Sequence, residues 1–413
     1  MNTKQLALLV AVGVALGGGG IYVRSRHSSS FKESSSQLGG AVLGKLDVST
    51  LTGLRITSGT NHLNLLKLGE EWVVAERGNF PANFTSIGEF VRKLIDLKVT
   101  QPVQVGPSRL AALELLPPDK CASVLVELIG SGGKSVHSLL LGKKVSKEAK
   151  DDSGMGGGGW PIGRYIMLDG KTDSIALVNE PLANAEPKAD DWLEKDWFKV
   201  EQPIDVSLSH AEITNSFALT RTNEFSDWSL TGIQTSEKLD TAKAAAFSSL
   251  LSAASFDDVL VNPQPTSLGL DTPLKASIRT SSGWSYEVRV GKVQDGEKYP
   301  VQYTVSAEIP AQRQPGKDEK KEDAEKLDKA FNEKLKLQKD KLVSEQARSK
   351  WTYLVSKWSI DPLFKKRSDL FVDPKAAATP PGDGKDASPL DLQGLQGLQG
   401  LQGLQGFPSK GKN

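Results

Sequence analysis

The sequence predicts an α+β protein made of two tandem units, each an antiparallel sheet carrying a helix on its apolar face. Three observations support this. Framework residues recur at nearly constant spacing: Trp72 and Trp228 lie 156 positions apart, Pro118 and Pro273 155, and Gly142 and Gly291 149. Leu274, Ala276 and Ile278 alternate with Lys275, Ser277 and Arg279, and Tyr286, Val288 and Val290 alternate with Glu287 and Arg289. Such a period of two marks a sheet packed on one face and wet on the other. Finally, Ile87, Phe90, Val91, Leu94 and Leu97 recur at the spacing of one helical face.

The elements follow in order. Residues 1–26 hold Leu6–Val23, an uncharged run interrupted by Gly17 to Gly20. It is barely long enough to cross a bilayer, so a membrane anchor is expected, with a cleaved signal peptide as the alternative. Both readings export the chain. Arg24 and Arg26 outnumber Lys4, which argues for a cytoplasmic body on a strict positive-inside count. The short leader favours the body outside the cytoplasmic membrane, in the periplasm or at the cell exterior. Residues 27–44 are Ser- and Gly-rich and read as a flexible tether.

Unit one spans residues 45–195. Short apolar segments divided by turn residues read as a β-meander. A helix over Phe84–Val99 follows, then strands at Ala122–Ile129, Ser135–Leu141, Arg164–Leu168 and Ser174–Val178. Asp151–Gly159 is Gly-rich, but no Gly-Lys-Ser/Thr follows it, so a hairpin tip is expected and not a phosphate cradle. Unit two spans 202–371 and repeats the plan. Its helix is expected over Thr241–Ala254, with Ala246, Phe247, Leu250, Leu251 and Ala254 facing the core. Trp351–Val355 is the expected counterpart of Ser174–Val178.

Unit two alone carries a charged insert at 317–348, predicted to be helical from pairs such as Glu322/Lys326 and Glu325/Lys329. Leu327, Phe331, Leu335 and Leu342 form a narrow apolar stripe on it and are the candidate partner-binding residues. The stripe suits packing on the arm's own domain, or a short coiled coil with a protein partner. Residues 372–413 end in five Leu-Gln-Gly triplets and read as a disordered tail.

Composition and motifs exclude more chemistry than they suggest. With 51 basic and 50 acidic residues the net charge is +1, so nothing points to nucleic acid. The lone Cys121 cannot form an internal disulfide and is expected as a small buried hydrophobe in a strand. His27, His62, His137 and His210 show no metal-ligand spacing, and no Gly-x-Ser-x-Gly elbow exists. No metal, cofactor or catalytic residue is therefore assigned. Asp190-Asp191 and Asp257-Asp258 read as solvated charge. Trp72 and Trp228 read as core caps, with a sugar-stacking platform as the alternative.

Leu268-Gly269-Leu270-Asp271-Thr272-Pro273 and Val290-Gly291, with a strand-borne Trp and an amino-terminal membrane segment, resemble the bacterial family of the domain of unknown function 4340. Leu115-Leu116-Pro117-Pro118 lacks the glycine of that pattern and is placed by spacing. The resemblance covers roughly residues 1 to 371 and omits the charged insert and the Leu-Gln-Gly tail. It implies association with membrane ABC-transport components of the gliding-motility auxiliary type, and it carries no catalytic residues. The expected function is a non-enzymatic, membrane-anchored interaction or scaffold protein of the bacterial envelope. The alternative is an envelope glycan- or ligand-binding module, with a hydrolase behind it.

Overall fold

The computed structural model describes residues 38–146, 160–315 and 321–372. The apolar leader, the Gly-rich tip at 151–159 and the Leu-Gln-Gly tail lie outside the described residues. Among the described residues no helix is long and apolar enough to cross a membrane.

Two antiparallel sheets and a few helices make up the fold, as expected for the α+β class. Sheet one contains β1 (Leu51–Ser58), β2 (Asn61–Leu68), β3 (Glu71–Val74), β4 (Phe80–Pro81), β5 (Val99–Pro102), β6 (Val124–Gly130), β7 (Ser135–Ser146), β8 (Pro161–Leu168) and β9 (Ile175–Val178). Their spatial order is β4-β3-β2-β1-β6-β7-β8-β9-β5. Sheet two contains β10 (Pro203–Ser209), β11 (Phe217–Thr220), β12 (Ser229–Leu230), β13 (Asp258–Leu260), β14 (Leu274–Thr280), β15 (Trp284–Val290), β16 (Lys298–Ala307) and β17 (Thr352–Ser356). Their order is β12-β11-β10-β14-β15-β16-β17-β13. Apart from the short edge strand β4, the two orders are the same.

The pairing registers turn this likeness into residue correspondences. Leu54 faces Leu65 where Val206 faces Leu219, and Leu65 faces Val74 where Leu219 faces Leu230, so Trp72 and Trp228 hold one position. Val124 faces Leu141 where Leu274 faces Val290, which superposes Gly142 on Gly291. Each glycine lies against a leucine carbonyl of the preceding turn, Leu113 and Leu268 respectively. The next residue of each turn is left-handed: Glu114 at φ 55° in one, Gly269 at φ 68° in the other. The glycine that unit one lacks is thus replaced by a glutamate in the same conformation.

Helix α1 (Phe84–Ile95) begins at Asn83, whose Oδ1 accepts from the Ser86 amide at 2.9 Å. It buries Ile87, Phe90, Val91 and Leu94 as its apolar stripe requires. The second helix is shorter than its periodicity suggests. Helix α2 covers Thr241–Ala245, a 3₁₀ turn continues through Ser249, and Leu251 is left-handed at φ 57°. Leu250 and Leu251 are both buried after the helix breaks. Ala246 faces solvent and Ala244 is buried instead.

Other expectations also change. The tether ends before Gly44: Gly39 donates to the Val99 carbonyl, Val42 donates to that of Leu97, and Val42 and Leu43 are buried. Apolar residues at its end dock on β5. Cys121 sits in a bend before β6, half-buried, its thiol donating to the Leu116 carbonyl at 3.2 Å. His62 lies in β2.

The two sheets share one continuous hydrophobic core. The connecting segment inserts Trp192, Leu193, Trp197, Phe198 and Val200 into it, all buried. Phe80, at the edge of sheet one, meets Phe256, Trp351 and Tyr353 of unit two edge-on, with centroids 5.8, 5.3 and 6.1 Å away. Beside this cluster Arg77 grips Asp258 through Nε at 2.6 Å and Nη2 at 2.8 Å. Asp258 is therefore a half-buried bidentate partner across the junction, and not the solvated charge expected from its sequence context. Asp257 turns the other way and accepts from Ser356 Oγ at 2.7 Å.

Candidate functional site

Among the described residues no group of three or more His, Cys, Asp or Glu side chains is placed to hold a metal ion. Two places differ between the units in ways the shared frame does not require. One is a cleft on sheet one, the other the seat of the charged arm on sheet two.

The cleft has a volume of about 560 Å³ and lies where β7, β8, the turn at Glu114 and the Ala183–Lys188 segment converge. Its charged lining is Lys143, Lys144, Arg164, Lys188, Glu114 and Glu186. Glu186 is committed to Lys188 at 2.6 Å. Arg164 is only 4% exposed, in phase with Ile166 on the core side of β8. Its Nε donates to the Gly142 carbonyl at 2.7 Å, and longer contacts reach Leu141 O at 3.4 Å and Pro181 O at 3.5 Å. Among the described residues no carboxylate forms an ion pair with it. Burial pushes its guanidinium down to about 10, opposed by the Glu114 and Glu186 charges. In sheet two the same position is Tyr299, which packs on Phe364 with centroids 4.7 Å apart.

The arm is helix α3 (Lys321–Arg348), between β16 and β17, where sheet one has only the turn Asp169–Ser174. At 28 residues it extends about 42 Å. Its carboxy-terminal turns are seated on the body. Arg348 Nη1 donates to Asp196 Oδ2 at 2.6 Å, the Tyr303 hydroxyl to the Glu345 carbonyl at 3.1 Å, and Lys341 Nζ lies 4.8 Å from the Trp284 ring centre. Farther out, Asp328 accepts from Arg313 Nε at 2.7 Å. The structure divides the predicted stripe. Leu342 packs against the shared core, Phe331 and Leu335 are half-buried, and Leu327 is 47% exposed. Leu337 and Val343, which lie off the stripe, are more exposed than any of these.

Glu345 is the unusual group of the seat, 6% exposed, with Oε2 buried and without a hydrogen-bond partner. Burial holds its carboxyl above the usual range, while Lys341, the Tyr286 hydroxyl and Arg348 oppose that shift and Asp196 adds to it. Lys199, Glu201 and Tyr303 complete the charged and titratable surroundings. Because the raised value belongs to the seated state, its contribution is complete below the ordinary glutamate value and is lost as pH rises through the raised one. Thermal stability should therefore fall from acid toward neutral pH through this group. Glu345→Gln should flatten that part of the profile and raise Tm at pH 8 by roughly 2–4 °C, the shift that about 1 kcal/mol produces in a domain of this class. A parallel profile in the variant would remove Glu345 from the seat's energetics.

The tryptophans sort differently from their sequence order. Trp228 is buried, donates from Nε1 to Ser248 Oγ at 3.0 Å and lies under Arg221 at 4.5 Å. Trp72 is half-buried against the core. Trp160 and Trp358 are the strongly exposed indoles. Arg164 and Glu114 were not singled out from sequence. Their signals were an arginine in register with Ile166 and Leu168, and a glutamate aligned with Gly269.

No curated protein and no solved structure matches the chain. The family model of the domain of unknown function DUF4340 matches residues 72–273. The matched stretch starts at the first framework tryptophan and ends at the second turn proline, so the similarity to DUF4340 spans the junction between the two sheets.

Proposed function

We propose that the chain is a non-enzymatic interaction or scaffold protein of the bacterial envelope, held at the cytoplasmic membrane by its amino-terminal segment with its body outside. The duplicated units form a rigid frame in this reading, and the arm presents the partner-binding surface. The observation that carries it is the arm itself. A 28-residue charged helix interrupts sheet two, is seated through its last turns, and leaves Leu327 and Leu337 accessible. Isolated surface charge of this kind adds little to stability, so an arm of this length is better explained by contact with something else. The family resemblance supports a membrane transport component as that partner.

The test compares the full chain with a variant in which residues 321–338 are replaced by a short Gly/Ser linker, both recovered from membranes in mild detergent. The full chain should retain a stoichiometric protein partner that the variant loses. A monodisperse full chain without a partner, or equal retention by both, would sink the reading. The glycan-platform alternative loses Trp228, whose indole is buried and hydrogen-bonded.

A further inference from the structure

We propose that the cleft on sheet one binds a small zwitterion, an α-amino acid or short peptide, with its carboxylate toward Arg164 and Lys144 and its ammonium toward Glu114. This goes beyond the arm-based reading and does not depend on it.

The comparison between the two sheets carries the argument. One strand order is built twice, so sheet two shows what the frame needs at each position. At the left-handed turn position it uses Gly269, and at the inward position of the penultimate strand it uses Tyr299. Sheet one departs at both places, to Glu114 and Arg164, and both departures line the same cleft. Each has a cost. A non-glycine residue at φ 55° is strained by about 1–2 kcal/mol. A guanidinium buried with one good hydrogen bond and two long ones is poorly compensated for its lost water. The other buried arginine, Arg221, has an indole face and the Ser248 hydroxyl in addition to carbonyl partners. Strain and uncompensated charge that a second copy of the fold avoids point to a binding role.

The charge pattern selects the ligand class. Lys144 stands directly opposite Arg164 in the β7–β8 register, and like charges facing across strands repel. An anion between them relieves that repulsion. Glu114 enters no ion pair among the described residues, although it is near enough to Arg164 to stabilise its charge. Glu186 and Lys188 satisfy each other. What remains is a group of three cations, Lys143, Lys144 and Arg164, and one carboxylate, Glu114, facing one cleft without ion-pairing among the described residues. A simple anion satisfies the first and is repelled by the second. A molecule bearing both a carboxylate and an ammonium satisfies both, through charge-assisted hydrogen bonds at each end. At about 560 Å³ the cleft has room for more than a single amino acid.

Titration calorimetry of the full chain with the dipeptide Ala-Ala tests this, alongside N-acetyl-Ala-Ala, Ala-Ala amide and inorganic phosphate. Ala-Ala should bind saturably in the millimolar range or tighter. Acetylation and amidation should each weaken binding at least about tenfold, the loss of one charged contact. Glu114→Gly and Arg164→Tyr install the residues that sheet two carries, and each should weaken Ala-Ala binding similarly. Glu114→Gly should also raise Tm by relieving the turn, which separates lost binding from lost folding. No saturable Ala-Ala binding, equal binding of the capped peptides, or undiminished binding by Glu114→Gly would overturn the proposal. So would tighter binding of phosphate than of Ala-Ala, which marks a plain anion site.

Discussion

Replacing Phe80 with alanine should lower the stability of the chain by about 3–5 kcal/mol, the range for deleting a buried aromatic ring from a well-packed core. The ring belongs to the edge of sheet one, yet its edge-on partners Phe256, Trp351 and Tyr353 belong to unit two. The loss should therefore fall on the junction and not on one sheet alone. Denaturant unfolding followed by tryptophan fluorescence is the measurement. The parent chain should unfold in one transition, because one continuous cluster of buried residues runs through both sheets. Phe80→Ala should shift that transition or split it in two as the sheets lose their mutual support. A loss below about 1 kcal/mol would show that the aromatic cluster does not couple the units. Arg77→Ala provides a comparison in the same place, since it strips Asp258 of a bidentate partner while leaving the aromatic contacts in position.

The second large effect belongs to the paired glycines. A Cβ at Gly142 runs into the Leu113 carbonyl oxygen, and one at Gly291 runs into that of Leu268. Backbone cannot yield as a side-chain tip can, so Gly142→Ala and Gly291→Ala should each cost about 1–3 kcal/mol or more. Gly88 is the control. It lies within helix α1 with nothing near its missing Cβ, so Gly88→Ala should be neutral or stabilising by up to about 1 kcal/mol. Equal shifts for all three variants would refute the close-approach explanation and leave only a loss of backbone freedom. Matching losses at 142 and 291, measured by the same unfolding assay, would show that the two turns do the same work in both sheets.

Much of the architecture was legible because its signals are local. The stripe on α1 and the alternation in β14 and β15 are periodicities, and a periodicity survives without knowledge of the neighbours. The Trp, Pro and Gly spacings were legible for a related reason: they mark places where backbone geometry constrains the residue. What could not be read depends on contacts between distant segments. The early end of α2 is followed by the left-handed Leu251, a backbone conformation that no periodicity marks. Asp258 looked solvated because its partner, Arg77, lies in the other unit. Leu342 continues the predicted stripe, but the position of the arm on sheet two decides its burial. The cleft stood at the limit of sequence reading. Its turn was noticed for lacking a glycine, but the meaning of Glu114 depends on Arg164 being brought beside it by the strand order.

That strand order also governs when the molecule can form. Within its sheet β5 pairs with β9 alone, and β13 with β17 alone, although four strands of each sheet are made after them. During synthesis these early strands must wait for their sheet partner, the last strand of their unit. In unit two the wait includes the whole arm, so residues near Tyr353 must emerge before β13 has a partner or Phe80 its contacts with Trp351 and Tyr353. Long separations of this kind slow folding. A nascent chain stopped before residue 352 would carry an unpaired sheet edge and an uncovered aromatic patch, the form most open to misassociation or to capture by a chaperone.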